Sequence, residues 1–445
     1  MFLLAATFSA LPGRALGQTL PSSPAAHPEI PPSAYRLIEV SARGSKRFKP
    51  EEIAAASGLR LGTTADDELF HKAARELGES GAFSDVSYTY SYSSAGTKLV
   101  FQVADAPQFV PVRFVDFVWF SDNELRQKVH ERVPLFDGEV PLNGHLPDEV
   151  SDVLQALLIE KAVPGHVDYT RINGSNRQVE AIYYAPQGVT IRIHSVAFTG
   201  AGASELPALQ AAADRLNHNE YARGSVVAFV GHSLLPIYHE RGYLKAAIAP
   251  APPQVAKLPA SEEEENNHNE TFVDVTLNVT PGPQYKISRI DWSGNKEFPA
   301  DMLQPLIRLK IGQPANTVQL TDDLVAVRDL YGSRGYVTAA IKAEAQFDDG
   351  AGTVAFKLDV KEGPVYHMGD LEFRGLDNGL TARLRAAWKL RPGDVYDAGY
   401  LKQYLPQALK LLPVNFDWDV ADHVTANVRE KTVDVDLVYT AKATH

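Results

Sequence analysis

The stretch YKISRIDWSGNKEFPADMLQPLIRLKIG, residues Tyr285–Gly312, sets the fold of this chain. It opens with an alternating run, Tyr285 to Trp292, that reads as a strand because successive strand side chains point to opposite faces. Gly294 breaks the run. A short helical stretch follows and closes at Leu309-Lys310-Ile311-Gly312, where glycine supplies the left-handed conformation that a helix end often needs. A longer stretch, Thr321 to Tyr331, puts Leu324, Val327, Leu330 and Tyr331 on one helical stripe. It stops at Arg334-Gly335-Tyr336. A two-strand hairpin completes the unit, with clear alternation over Val354 to Val360.

The same order recurs outward in both directions, which marks a repeat protein. Tyr35–Val40 stands before Gly44, Ile191–Phe198 before Gly200, and Tyr366–Phe373 before Gly375. Val112–Phe120 takes this part in the second unit, without glycine. Gly44/Gly62, Gly294/Gly312 and Gly375/Gly393 share one spacing, whereas the third unit offers Asn217-His218-Asn219 at the second position. The predicted class is α+β: five tandem β-α-α-β-β modules, each a three-stranded mixed sheet on two helices with its own core, in an elongated array. The expected bounds are 35–106, 107–187, 188–283, 284–364 and 365–441, with a loop insertion at 250–270 in the third.

Several segments resemble the POTRA domains of the BamA-type outer-membrane assembly family. Ser80-Gly81-Ala82-Phe83-Ser84-Asp85-Val86 is similar to that family's step into its second strand, and Ile290-Asp291-Trp292-Ser293-Gly294-Asn295 to its opening strand and turn. Lys361-Glu362-Gly363-Pro364 resembles its boundary between modules. The resemblance covers about residues 35 to 441 and is weakest in the second unit. Family members continue into a membrane β-barrel, which needs at least about eight strands, and only six residues follow Tyr439 here. What the resemblance implies is therefore the soluble recognition part, periplasmic and associated with the outer membrane.

Phe2–Leu11 is a short apolar core followed by Ala15-Leu16-Gly17, a small-x-small step before Gln18. Residues 1–17 thus read as a signal peptide, although no basic residue precedes the core. Residues 18–34, rich in Pro and Ser, read as a linker. The net charge of -12 argues against a phosphate-binding surface, and the absence of cysteine excludes disulfides and thiol chemistry.

No catalytic, cofactor or metal constellation stands up. Gly231-His232-Ser233 lacks the second glycine of a nucleophile elbow, and His239-Glu240-Arg241 lacks the second histidine of a zinc helix. Glu262–Glu265 has no spaced calcium-ligand pattern. The chain reads as a non-enzyme that takes neither nucleic acid nor a small-molecule substrate. Its expected partners are unfolded or partner envelope proteins, added as strands to open sheet edges. The alternative is a docking subunit for a separate outer-membrane barrel. The resemblance implies that the second strand of a module lies on such an edge. The candidates are Val337-Thr338-Ala339-Ala340-Ile341 within 337–343, Leu244-Lys245-Ala246 within 244–248, and Val86-Ser87-Tyr88 within 86–90.

Overall fold

The structure is a computed structural model that describes residues 32–64, 66–257, 270–414 and 416–443. The expected signal, most of the expected linker and Glu262–Glu265 lie outside the described residues. The end of that linker is structured: Pro32–Tyr35 forms a 3-10 turn, and Ala34 is buried because its carbonyl accepts the hydroxyl of buried Thr97.

Five sheets succeed one another along the described chain. The first holds β1 (Leu37–Arg43), β2 (Phe83–Ser93) and β3 (Gly96–Asp105) in the order β1-β3-β2. The second holds β4 (Phe109–Phe114), β5 (Glu139–Pro141), β6 (His166–Asn173) and β7 (Val179–Gln187) in the order β5-β4-β7-β6. In the third, β8 (Thr190–Thr199), β9 (Ala247–Pro250), β10 (Gln254–Val255) and β11 (Glu270–Thr280) run β10-β11-β8, with β9 also on β11. The fourth is β12 (Lys286–Ser293), β13 (Ala340–Asp348) and β14 (Thr353–Lys361) in the order β12-β14-β13. The fifth is β15 (His367–Arg374), β16 (Phe416–Asn427) and β17 (Thr432–Ala443) in the order β15-β17-β16. The last strand of the unit is therefore central in sheets one, two, four and five. It runs parallel to the first strand and antiparallel to the second.

Central β14 shows why the pattern folds this way. Val354, Phe356, Leu358 and Val360 point to one face and are all buried, while Lys357 on the other face is exposed. Each such side chain contributes about 1.5–3 kcal/mol on burial. The helix Thr317–Gly332 supplies Leu320, Val327 and Tyr331 to the same core.

Backbone bonds cover the start of the first strand in each sheet. Leu37 N–H donates to Thr63 O and Gly62 N–H to Leu37 O. The same pair recurs as Ile193–Asn219 and His218–Ile193, as Ile287–Gln313 and Gly312–Ile287, and as Met368–Asp394 and Gly393–Met368. In the second sheet this segment lengthens into β5, a strand that the sequence pattern does not foreshadow. The second strand of the unit forms the opposite edge in sheets one, two, four and five.

The chain forms two compact units whose division falls within the third repeat. The first runs to Ala197 and adds Asp214–Val226 and Pro250–Thr276; the second takes Phe198–Ala213, Val227–Ala249 and the chain from Leu277. In the first unit the expectation of one core per repeat fails. A continuous buried cluster runs from Leu37 to Tyr184, since Phe48 touches both Phe83 and Phe109, at 5.7 and 6.0 Å between ring centroids. The second unit keeps separate clusters around β14 and β17.

Arg47 fastens the first two repeats. Its guanidinium lies 3.9 Å from the Phe109 ring centroid and pairs with Asp137 at 2.6 Å and Glu139 at 2.9 Å. Arg47→Ala is expected to destabilise the first unit by about 1–3 kcal/mol, since ring contact and hydrogen bonds go together. Denaturant unfolding checks this.

Candidate functional site: the open strand edges

The three candidate edges differ sharply in structure. In the first repeat, α1 (Pro50–Ala56) and α2 (Asp67–Glu79) flank the sheet, and α2 packs beside the edge strand β2. Asp66 caps α2 by accepting the Leu69 N–H. Between α2 and β2 lies a groove of about 660 Å³, lined on the helix by His71, Arg75 and Gly78 and on the strand by Val86, Ser87 and Tyr88. All three sequence candidates of this repeat thus lie on an edge strand and on one groove.

Alternation on β2 divides its chemistry. Val86, Tyr88, Tyr90 and Tyr92 are half-buried, while Ser87, Thr89, Ser91 and Ser93 are exposed. The tyrosines form a ladder, with 6.4 Å between the rings of Tyr88 and Tyr90 and 5.3 Å between Tyr90 and Tyr92; Phe70 of α2 backs the first two. The Tyr88 hydroxyl donates to Asp67 at 3.0 Å. Burial, helped by that carboxylate, pushes Tyr88 up to about 12, and burial also raises Tyr92. Both hydroxyls are neutral at ordinary pH, and of the ladder Tyr88 lines the groove.

In the third and fourth repeats the strand begins later than the sequence suggests. Val337, Thr338 and Ala339 precede β13, and Leu244, Lys245 and Ala246 precede β9; only Ala340 and Ile341 of these candidates lie in a strand. The cause is a second turn after the helix-ending glycine. Tyr336 N–H donates to Tyr331 O and Ala339 N–H to Tyr336 O, and Tyr243 and Ala246 repeat both bonds to Tyr238 and Tyr243.

That turn couples neighbouring repeats instead. Leu244 packs on the core around β14, and Val337 on the core around β17. Tyr285 N–H donates to Gly242 O, and Tyr366 N–H to Gly335 O. The Lys245 ammonium pairs with Asp349 at 2.7 Å and lies 4.8 Å from the Phe347 ring centroid. Hydrogen bonds that the ammonium makes to Asp349, then to Tyr285, hold the Lys245 pKa above its usual value. Lys245→Ala should cost little because the pair is exposed and screened by solvent. Leu244→Asp should cost more, about 2–3 kcal/mol, by setting a charge against the fourth core. Thermal unfolding of the two variants checks the order.

The third edge is also broken. β9 ends at Pro250, and Pro252-Pro253 separate it from the two-residue β10. Proline cannot donate a ladder bond, so this edge is blunted against strand addition.

Sequence reading missed the helix wall of the groove. Its signal was there: His71, Arg75 and Gly78 recur at helical spacing on one face of α2. Ser233 lies in a π-helical turn, Val230–Leu234, with no strand before it, so the elbow geometry is absent.

Residues 285–363 match the POTRA family, described as surface antigen variable number repeat. The chain is 30% identical over 159 residues to a putative outer membrane protein assembly factor of Treponema pallidum, covering 36% of this chain and 18% of that protein. It is 21% identical over 334 residues to the outer membrane protein assembly factor BamA of Nitratidesulfovibrio vulgaris, covering 71% of this chain and 39% of that one. The matches thus span well under half the length of either relative. Among solved structures, the crystal structure of Haemophilus influenzae BamA POTRA3-5 is similar with 21% identity and a TM-score of 0.44, covering 62% of this chain and 98% of that one.

Proposed function

We propose that this chain, which carries a POTRA repeat in its fourth unit and resembles outer-membrane assembly factors, is a protein-binding scaffold of the cell envelope. It takes extended segments of outer-membrane or envelope polypeptides by strand addition and so aids their assembly or transport. Its place is the periplasm beside the outer membrane. Among the described residues no helix is long and apolar enough to cross a membrane.

The observation that carries this reading is the β2 edge of the first repeat, open along a groove against α2. A strand laid beside β2 would bond its free main-chain groups. Alternate side chains would meet the tyrosine ladder on one face and the Ser/Thr row on the other. Such an edge selects an extended, amphipathic strand more than a defined sequence. Ala340 and Ile341 offer a second edge of this kind on β13.

The direct test is hydrogen exchange on the full chain with and without an alternating apolar/polar peptide. Added protection of alternate β2 amides is the expected result. Protection confined to α2, or none, removes strand addition at β2. Co-purification with a native membrane barrel, without peptide binding, would favour the docking-subunit reading.

A further inference from the structure

Beyond client binding, β13 of the fourth repeat carries the features of a self-complementary edge. It pairs with β14 without a register shift over nine residues, whereas β2 is bulged between Phe83 and Asp85. Ala340 and every residue from Lys342 to Asp348 are exposed. No proline or glycine interrupts the strand. Edges like this normally carry a feature that blocks pairing, and the one charge of the blocking type, Lys342, is already matched by Glu344 at 2.8 Å on the same face.

We infer that β13 pairs antiparallel with β13 of a second copy of this chain, about a two-fold axis at Ala343. A two-fold axis perpendicular to the joined sheet keeps each face continuous, so residues of like parity must meet. With Ala343 at the centre, Lys342 of each copy faces Glu344 of the other, giving two opposite-charge pairs. On the other face Ile341 meets Ala345 of the second copy, and Ala343 meets itself, so bulk lies against small. The adjacent registers, centred on Lys342 or Glu344, set like charges directly opposite and are disfavoured. The edge strand of the fifth repeat lacks this match, since β16 carries Asp417, Asp419 and Asp422 with no lysine or arginine.

The test is the association state of the full chain across a concentration series, by sedimentation velocity. A monomer–dimer equilibrium is expected for the parent. Lys342→Glu and Glu344→Lys each turn two attractions into two repulsions, and each should raise the dimer dissociation constant about tenfold or more. The double reversal should return it to near the parental value. A merely misfolded variant would not be rescued in this way.

Absence of cysteine allows a second readout. Ala343→Cys places two thiols across the axis, where opposite Cβ atoms lie about 4.5–5.5 Å apart, and mild oxidation should give a covalent dimer. Asp348→Cys falls about 30 Å from its counterpart in this register and should stay uncrosslinked. A monomer at every concentration, or equal crosslinking of both cysteine variants, overturns the inference. Neither result bears on peptide binding at β2, which lies in a different repeat.

Discussion

Gly294→Ala is expected to destabilise the fourth repeat by about 2–4 kcal/mol, seen as a lower unfolding midpoint of the second compact unit. Gly294 has φ +78°, and a Cβ added there would lie 2.1 Å from the carbonyl oxygen of Val360 at the end of central β14. Both the left-handed backbone and the contact oppose a side chain, and the contact is with backbone that cannot move without disturbing the ladder. The same contact recurs at Gly44 with Val103, Gly200 with Val279 and Gly375 with Tyr439, at 2.0–2.3 Å. Alanine at Gly224 makes the control. Gly224 lies in the helix Arg223–Phe229 with nothing within 4 Å of its added Cβ, so Gly224→Ala should be neutral or stabilising by up to about 1 kcal/mol. Equal melting of Gly294→Ala and the parent would show that this glycine is not required.

A proline scan along Val86–Tyr90 should alternate. These residues pair with Val103 through Leu99 of β3, so alternate N–H groups face that strand and the others face the open side. A proline on the β3 side removes a ladder bond and should cost the first unit about 1–3 kcal/mol. A proline on the open side should leave folding intact and weaken peptide binding about tenfold, because the added strand loses a donor and meets the ring. Ser87→Ala should change little. If binding instead runs through side chains in the groove, Arg75→Glu and Val86→Asp will outweigh every proline. Binding at the parental level by all folded proline variants excludes addition at β2.

Much of the fold was legible because its decisive signals are local. Alternation over Val354–Val360, the stripe Leu324–Tyr331 and the glycine spacing each report a backbone or face requirement within a few residues. Where glycine was missing the requirement persisted in another residue: Asp116 at φ +58° follows β4, and His218 at φ +64° makes the bond to Ile193 that Gly62 makes to Leu37. A pattern of residue types could not show this, since aspartate and histidine enter the left-handed region far less often than glycine and so do not mark it. Val86–Tyr88, which the family resemblance put on a sheet edge, lie in the edge strand β2. Leu244 and Val337 do not lie in a strand, because whether a residue after a helix-ending glycine extends or turns depends on what it can bury. Leu244 and Val337 pack against the core of the following repeat, a partner outside their own repeat that local sequence does not reveal. The sequence by itself determined the order of strands and helices and the periodic faces. Only the tertiary structure decided that the 63, 219, 313 and 394 segments fold back to take hydrogen bonds at the start of the first strand, since those partners lie far along the chain from the residues they bond.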